Sequence, residues 1–147
     1  MKIIVNSNEV LSKLIAEEFV NVVLKKPNAV LGLATGTSPL GVYANMAKAY
    51  EEGRVSFAKC TTFNLDEYVG LEGTHNQSYR YFMNENLFNH IDIDKKNTNV
   101  LLGVGDYKKF MSEYDGMIEK AGGIDIQILG IGSDGHIAFN EPGTSFD

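Results

Sequence analysis

The sequence predicts an α/β fold, a Rossmann-like open and mostly parallel sheet with helices on both faces. Short apolar runs without strict in–out alternation recur along the chain, as strands covered on both faces do. Segments with apolar residues at helical spacing separate these runs, the pattern of parallel strands joined by crossover helices. Several runs lead straight into loops of glycine and small polar residues, where ligands bind in open parallel sheets.

Met1 to Val5 reads as a first strand, and Ser7 or Asn8 can cap the helix that follows. Val10, Leu11, Leu14, Ile15, Val22 and Val23 recur at helical spacing to about Lys25, and Pro27 and Asn28 break the helix. Ala29 to Leu33 is a buried-type strand, Ala34 to Ser38 a loop, and Pro39 suits the first turn of a helix. That helix carries Leu40, Val42, Tyr43, Met46, Ala47 and Tyr50 and ends near Gly53. Cys60 to Asn64 is β-branched and aromatic, hence a strand, and Asp66 to Asn76 is a polar loop. Ser78 to Phe88 has helical spacing, and Thr98 to Leu102 is a weaker strand. Asp106 can cap a helix bearing Phe110, Tyr114, Met117 and Ile118, which Gly122 and Gly123 stop. Ile124 to Leu129 is a strand leading into GIGSDGH. No repeat, low-complexity segment or linker divides the chain, so residues 1–147 read as a single α/β domain.

A net charge of -6 argues against nucleic acid or an anionic membrane as the main partner. It does not argue against a small anion, which a few backbone donors can hold. The single cysteine, Cys60, leaves no internal disulfide and fits a reducing compartment. The N-terminal segment is too short and polar for a signal peptide, and no stretch approaches the length of a membrane span. The expected location is the cytoplasm.

Three clusters at predicted strand ends could carry chemistry. Thr35, Gly36, Thr37 and Ser38, ahead of Pro39, could cradle a phosphate at a helix N-terminus. The same residues could equally be a capped helix start, with Ser38 as N-cap and Pro39 at the first helical position. The spacing matches neither a Walker A loop nor a dinucleotide fingerprint. Asp66 and Glu67 follow the CTTFN run. A carboxylate there could take a proton from a carbon beside a carbonyl, or it could be a solvated loop acid or a cap. In the Gly130–Pro142 stretch, Asp134 and His136 are two residues apart and Glu141 follows five later. A carboxylate can fix an imidazole's tautomer so that the ring moves a proton. A glycine-rich turn with a hydrogen-bonded histidine is the alternative. A metal site is a further option, although no second His or Cys stands nearby at ligand spacing. His75 and His90 read as surface residues, and Met46, Met83 and Met117 as core.

LGLATGTSP, TTFNLDEYVGL, HNQSY and IDIQILGIGSDGHIAFNEPGTSF together resemble the glucosamine-6-phosphate deaminase (isomerase) family, in order and over essentially the whole chain. The resemblance implies conversion of glucosamine 6-phosphate to fructose 6-phosphate and ammonia in amino-sugar catabolism, a hydrolase acting on an amino sugar phosphate. It implies that Asp66 moves the C2 proton, and that His136 opens the pyranose ring with Asp134 and Glu141 as carboxylate partners. Thr35, Gly36, Thr37 and Ser38 then hold the sugar phosphate, and Gly130 lines the same site. No metal and no organic cofactor is implied, and the family includes both monomers and homo-oligomers. Thr37 stands where many members carry a second glycine. Members also continue well past the position of Asp147, with further strands and with an arginine and a lysine for the phosphate. The sheet is therefore expected to be incomplete at the C-terminus, and the 147 residues alone to bind substrate poorly. Two other readings remain at this level: a lactonase of the same fold, which would not need Asp66, and a non-catalytic sugar-phosphate sensor, which has no reason to keep Asp66, His136 and Glu141 together.

Overall fold

The computed structural model describes residues 2–145. Helix α1 (Asn8–Lys25) starts beneath Ser7, whose hydroxyl accepts from the Val10 amide. Strand β1 (Val30–Leu33) is buried along its whole length. Helix α2 (Leu40–Glu51), strand β2 (Thr61–Asn64), helix α3 (Tyr79–Asn86), strand β3 (Thr98–Asn99), helix α4 (Tyr107–Lys120) and strand β4 (Ile126–Gln127) follow in turn. Two single 3₁₀ turns, Phe88–His90 and Lys95–Asn97, join α3 to β3.

The strands form one parallel sheet in the order β3-β2-β1-β4. Alternation along β1 and β2 sends successive side chains to opposite faces. Leu31 and Leu33 join Phe19, Val20 and Val23 of α1, Tyr43 and Met46 of α2, and Met83 of α3 on one face. Val30 and Phe63 face Tyr114, Phe110 and Met117 of α4 on the other. The chain steps outward from β1 through β2 to β3, and α4 then returns it to the far side of β1. The direction of travel thus reverses between β1 and β4, so a crevice opens at the carboxyl ends of those two strands.

Several expectations are corrected. Residues 2–5 form no strand, and Ile3, Ile4 and Val5 are exposed at 75%, 47% and 89%. A strand exists only through a paired neighbour, and among the described residues none pairs with them. Met1, the start of that expected strand, and Phe146, the end of the last matching stretch, lie outside the described residues. The buried stripe of α1 is Ser12, Ala16, Phe19, Val20 and Val23, while Val10, Leu14 and Ile15 are exposed. At the crossing of α1 and α2 a Cβ on Gly41 would lie 2.5 Å from Ser12 Oγ. Only small residues fit at that crossing, so Ser12 takes the buried place there. Strands β3 and β4 are shorter than expected, and among the described residues each pairs on one side only.

Candidate active site

Two buried tyrosines fix the points where the site loops leave the sheet. At the end of β1, the Ala34 amide donates to the Tyr43 hydroxyl at 3.1 Å, and that hydroxyl donates back to the Ala34 carbonyl at 2.5 Å. At the end of β2, the Asn64 amide donates to the Tyr114 hydroxyl at 3.1 Å, and the hydroxyl lies 2.9 Å from the carbonyls of both Asn64 and Asn99. Each hydroxyl satisfies backbone groups that the sheet ladder no longer reaches. The two clamps come from opposite faces, Tyr43 from α2 and Tyr114 from α4. Asn64 also donates from its side chain to the Leu33 carbonyl at 3.2 Å, tying the two strand ends together.

Beyond β1, Thr35 and Gly36 begin the first loop. Helix α2 starts at Leu40, with Pro39 at its cap position and no side-chain cap. The expected Ser38 cap is therefore not formed; instead the Leu40 amide reaches the Thr37 carbonyl at 3.4 Å. Beyond β2, Asp66 is half-buried while Glu67 is buried. Burial, and then the neighbouring Glu67 charge, push the Asp66 carboxyl up to about 6 from 3.8.

The last loop folds on itself. The Gly132 amide donates to the His136 carbonyl at 2.9 Å and the Gly135 amide to the Gly132 carbonyl at 3.0 Å. A Cβ on Gly132 would collide with Cε1 and Nδ1 of His136 and come within 2.8 Å of Asp134 Oδ1, so only glycine fits beneath the pair. His136 Nδ1 lies 2.7 Å from Asp134 Oδ1. The His136 backbone amide, and then the ring, hold the Asp134 carboxyl below its ordinary range. Ala138 adopts a left-handed φ of 53°. Next to it, the Phe139 ring packs 5.2 Å from Tyr68 and 5.9 Å from Tyr79, and the Tyr79 hydroxyl lies 3.2 Å from that of Tyr68.

These loops enclose a cavity of about 330 Å³ at the carboxyl ends of the strands. Of the residues singled out from sequence, Thr35, Gly36, Asp66, Gly130, His136 and Glu141 line it. Asp134, hydrogen-bonded to His136 at 2.7 Å, is not in the lining, and Thr37 and Ser38 are exposed and also outside it. Sequence reasoning missed the aromatic wall of Tyr68, Tyr79 and Phe139. Tyr68 and Phe139 stand in the second and third loop stretches and Tyr79 at the start of α3, and aromatic rings read as packing residues unless their place beside the acids and histidine is weighed. His75 and His90 are exposed, as expected, and Met46 and Met83 are fully buried.

Asp134, His136 and Glu141 each offer a ligand atom within 4.8 Å of the others. One imidazole and two carboxylates could hold a divalent cation, and the same spacing lets the carboxylates hold the ring for proton transfer. Among the described residues no helix is long and apolar enough to cross a membrane.

A model of the family of glucosamine-6-phosphate isomerases and 6-phosphogluconolactonase matches residues 6–142. A glucosamine-6-phosphate deaminase of Clostridium tetani is 54% identical over 144 residues, which is 97% of this chain and 60% of that protein. One from Thermoanaerobacter sp. is 50% identical over 149 residues, covering 100% of this chain and 59% of its own length. The chain thus spans about 60% of the length of the curated relatives it matches. A solved monomeric glucosamine-6-phosphate deaminase superposes with a TM-score of 0.94 at 40% identity, over 99% of this chain and 61% of that one. A 6-phosphogluconolactonase from Thermotoga maritima superposes with a TM-score of 0.71 at 26% identity, over 87% of this chain and 59% of that one. With its parallel sheet, its three site loops and a match from residue 6 to residue 142, this chain belongs to the family of glucosamine-6-phosphate isomerases and 6-phosphogluconolactonases.

Proposed function

We propose that this chain supplies the reacting side chains of an enzyme converting glucosamine 6-phosphate and water into fructose 6-phosphate and ammonia. The supporting observation is that Asp66 and His136, from loops far apart in sequence, line one cavity with Glu141. Its volume of about 330 Å³ lies within the range of small-molecule sites. The deaminase relatives at 54% and 50% identity point the same way. A lactonase would have no use for a half-buried carboxylate opposite the histidine.

Asp134 takes the Nδ1 side of the His136 ring, which leaves Nε2 for the sugar. Nε2 accepts the proton of the anomeric hydroxyl and returns it to the ring oxygen as the C1–O5 bond breaks. Glu141, on the same cavity wall, supports the charge that the imidazole gains. Asp66 then removes the C2 proton of the open-chain aldehyde while a proton of the substrate ammonium passes to O1, giving the enolamine, and Asp66 delivers its proton to C1. The C2 iminium that results adds water and releases ammonia, leaving the ketone. Water is consumed in the net reaction, so the step is a hydrolytic deamination joined to an aldose–ketose isomerisation. The Thr35–Ser38 loop, at the side-chain-uncapped start of α2, receives the phosphate. No cofactor enters this sequence of proton transfers.

The only partner required is the sugar phosphate, and assembly into a homo-oligomer is compatible with the scheme. Residues 1–147 act within one α/β domain, and the single buried thiol, Cys60, fits the cytoplasm. The test is product analysis on the intact protein. Ammonia and fructose 6-phosphate formed from glucosamine 6-phosphate support the proposal. Hydrolysis of 6-phosphogluconolactone with no ammonia from the amino sugar would replace it with the lactonase reading.

A further inference from the structure

Glu67 has no role in the proton transfers above, yet among the described residues it is the one charged residue that is buried, at 8% exposure. Its oxygens accept three backbone amides. Oε1 takes Tyr68 N–H and Tyr79 N–H, each at 2.9 Å, and Oε2 takes Arg80 N–H at 3.0 Å. Tyr79 and Arg80 are the first residues of α3, and Ser78 Oγ takes the next amide, from Tyr81, at 3.0 Å. Glu67 and Ser78 together satisfy the first three free amides of that helix. A carboxylate that uses both oxygens as acceptors at a helix N-terminus ties its own loop to that helix with charge-assisted hydrogen bonds.

We propose that Glu67 is the positioning residue for Asp66: clamped on the amides of Tyr68, Tyr79 and Arg80, it anchors the Asp66 loop to the start of α3 and sets a fixed negative charge beside it. The proposal rests on the role given to Asp66 under the proposed function. Burial is the larger cause of the raised Asp66 carboxyl, and the Glu67 charge is the second. The other titratable groups around the cavity are Tyr68 and Tyr79 on the same side and His136 and Glu141 across it. None of them contributes to the Asp66 shift as Glu67 does. Glu67 thus holds Asp66 in place and keeps it a stronger base than a free aspartate.

The experiment compares Glu67→Gln and Glu67→Asp with the wild type in the intact protein, reading kcat, KM and their pH dependence. Glu67→Gln keeps the shape but loses the charge and turns a donor toward the amides. Its kcat should fall about 10- to 100-fold, and its acid limb should move to lower pH, toward an ordinary carboxylate. Glu67→Asp keeps the charge and withdraws the oxygens by one methylene. Its kcat should fall while the acid limb stays in place. An unmoved limb in a folded Glu67→Gln, or a wild-type kcat in Glu67→Asp, overturns the proposal. Should Glu67→Gln not fold, Glu67→Asp still decides the positioning role. A wild type that releases no ammonia would instead defeat the proposed function. In that case carbon NMR titration of the Asp66 carboxyl still tests Glu67, because its midpoint must drop in Glu67→Gln.

Discussion

The rings of Tyr68 and Phe139 lie 5.2 Å apart, and through them the loop that carries Asp66 touches the loop that carries His136. The two loops leave different strands and share no backbone hydrogen bond among those described. In the proposed scheme this contact is what aligns Asp66 with the imidazole across the cavity. Ala138, in its left-handed conformation, is the residue that precedes the Phe139 ring.

Phe139→Ala is expected to lower kcat/KM about 10- to 100-fold, the cost of roughly an ångström of misplacement. Phe139 is 48% exposed, so the melting temperature should barely change. Phe139→Leu should recover part of the loss. Steady-state kinetics beside thermal melts check this, and a fall in activity matched by a large fall in stability would contradict it.

Asp66 should be seen in the pH dependence of both activity and stability. As the base of the proposed reaction it must be ionised, so kcat/KM should rise with pH through a midpoint of about 6. For stability the sign is opposite. The folded carboxyl titrates near 6 and the unfolded one near 3.8, so between these values the folded state binds more protons and stability falls as pH rises. Asp66→Asn removes that penalty. It should be more stable than the wild type by roughly 1–3 kcal/mol above pH ~6, and the two should converge toward pH ~4. Denaturant melts at the two pH values measure the difference.

Tyr114→Phe should destabilise the protein by about 1–3 kcal/mol, because the buried Asn64 amide loses its acceptor. Asn64 is two residues before Asp66, so activity should fall as well. The control is Tyr50→Phe: Tyr50 packs at the edge of the core, and none of the hydrogen bonds described here uses its hydroxyl.

Gly132→Ala should remove activity with little change in stability. The added methyl occupies the space of the His136 ring, and the loop around it is exposed. Proton NMR of the imidazole would show the ring displaced from Asp134.

Much of this was legible from residue pattern. The apolar run AVLGL and the β-branched, aromatic run CTTFN stand at the centre of the sheet as β1 and β2. The glycine and acid clusters follow strand ends, and that placement alone brings Thr35, Asp66 and His136 to one rim. Other features were not legible, for stated reasons. The Tyr43 and Tyr114 clamps depend on where a hydroxyl lands across the core, which helical spacing does not encode. The buried place of Ser12 on α1 depends on its close approach to Gly41 of α2, which helical spacing does not encode. The hold of Glu67 on α3 joins residues 12 and 13 apart in sequence, beyond any local capping pattern.

Asp66→Asn in the intact protein, assayed for ammonia release and separately for binding of a non-reacting sugar phosphate, puts the shared site to the test. Ammonia release should fall on the order of 10²- to 10⁴-fold with binding retained, and His136→Gln should slow ring opening instead, with partial rescue by an open-chain analogue. Turnover by Asp66→Asn equal to the wild type would mean that this carboxylate does not move the C2 proton.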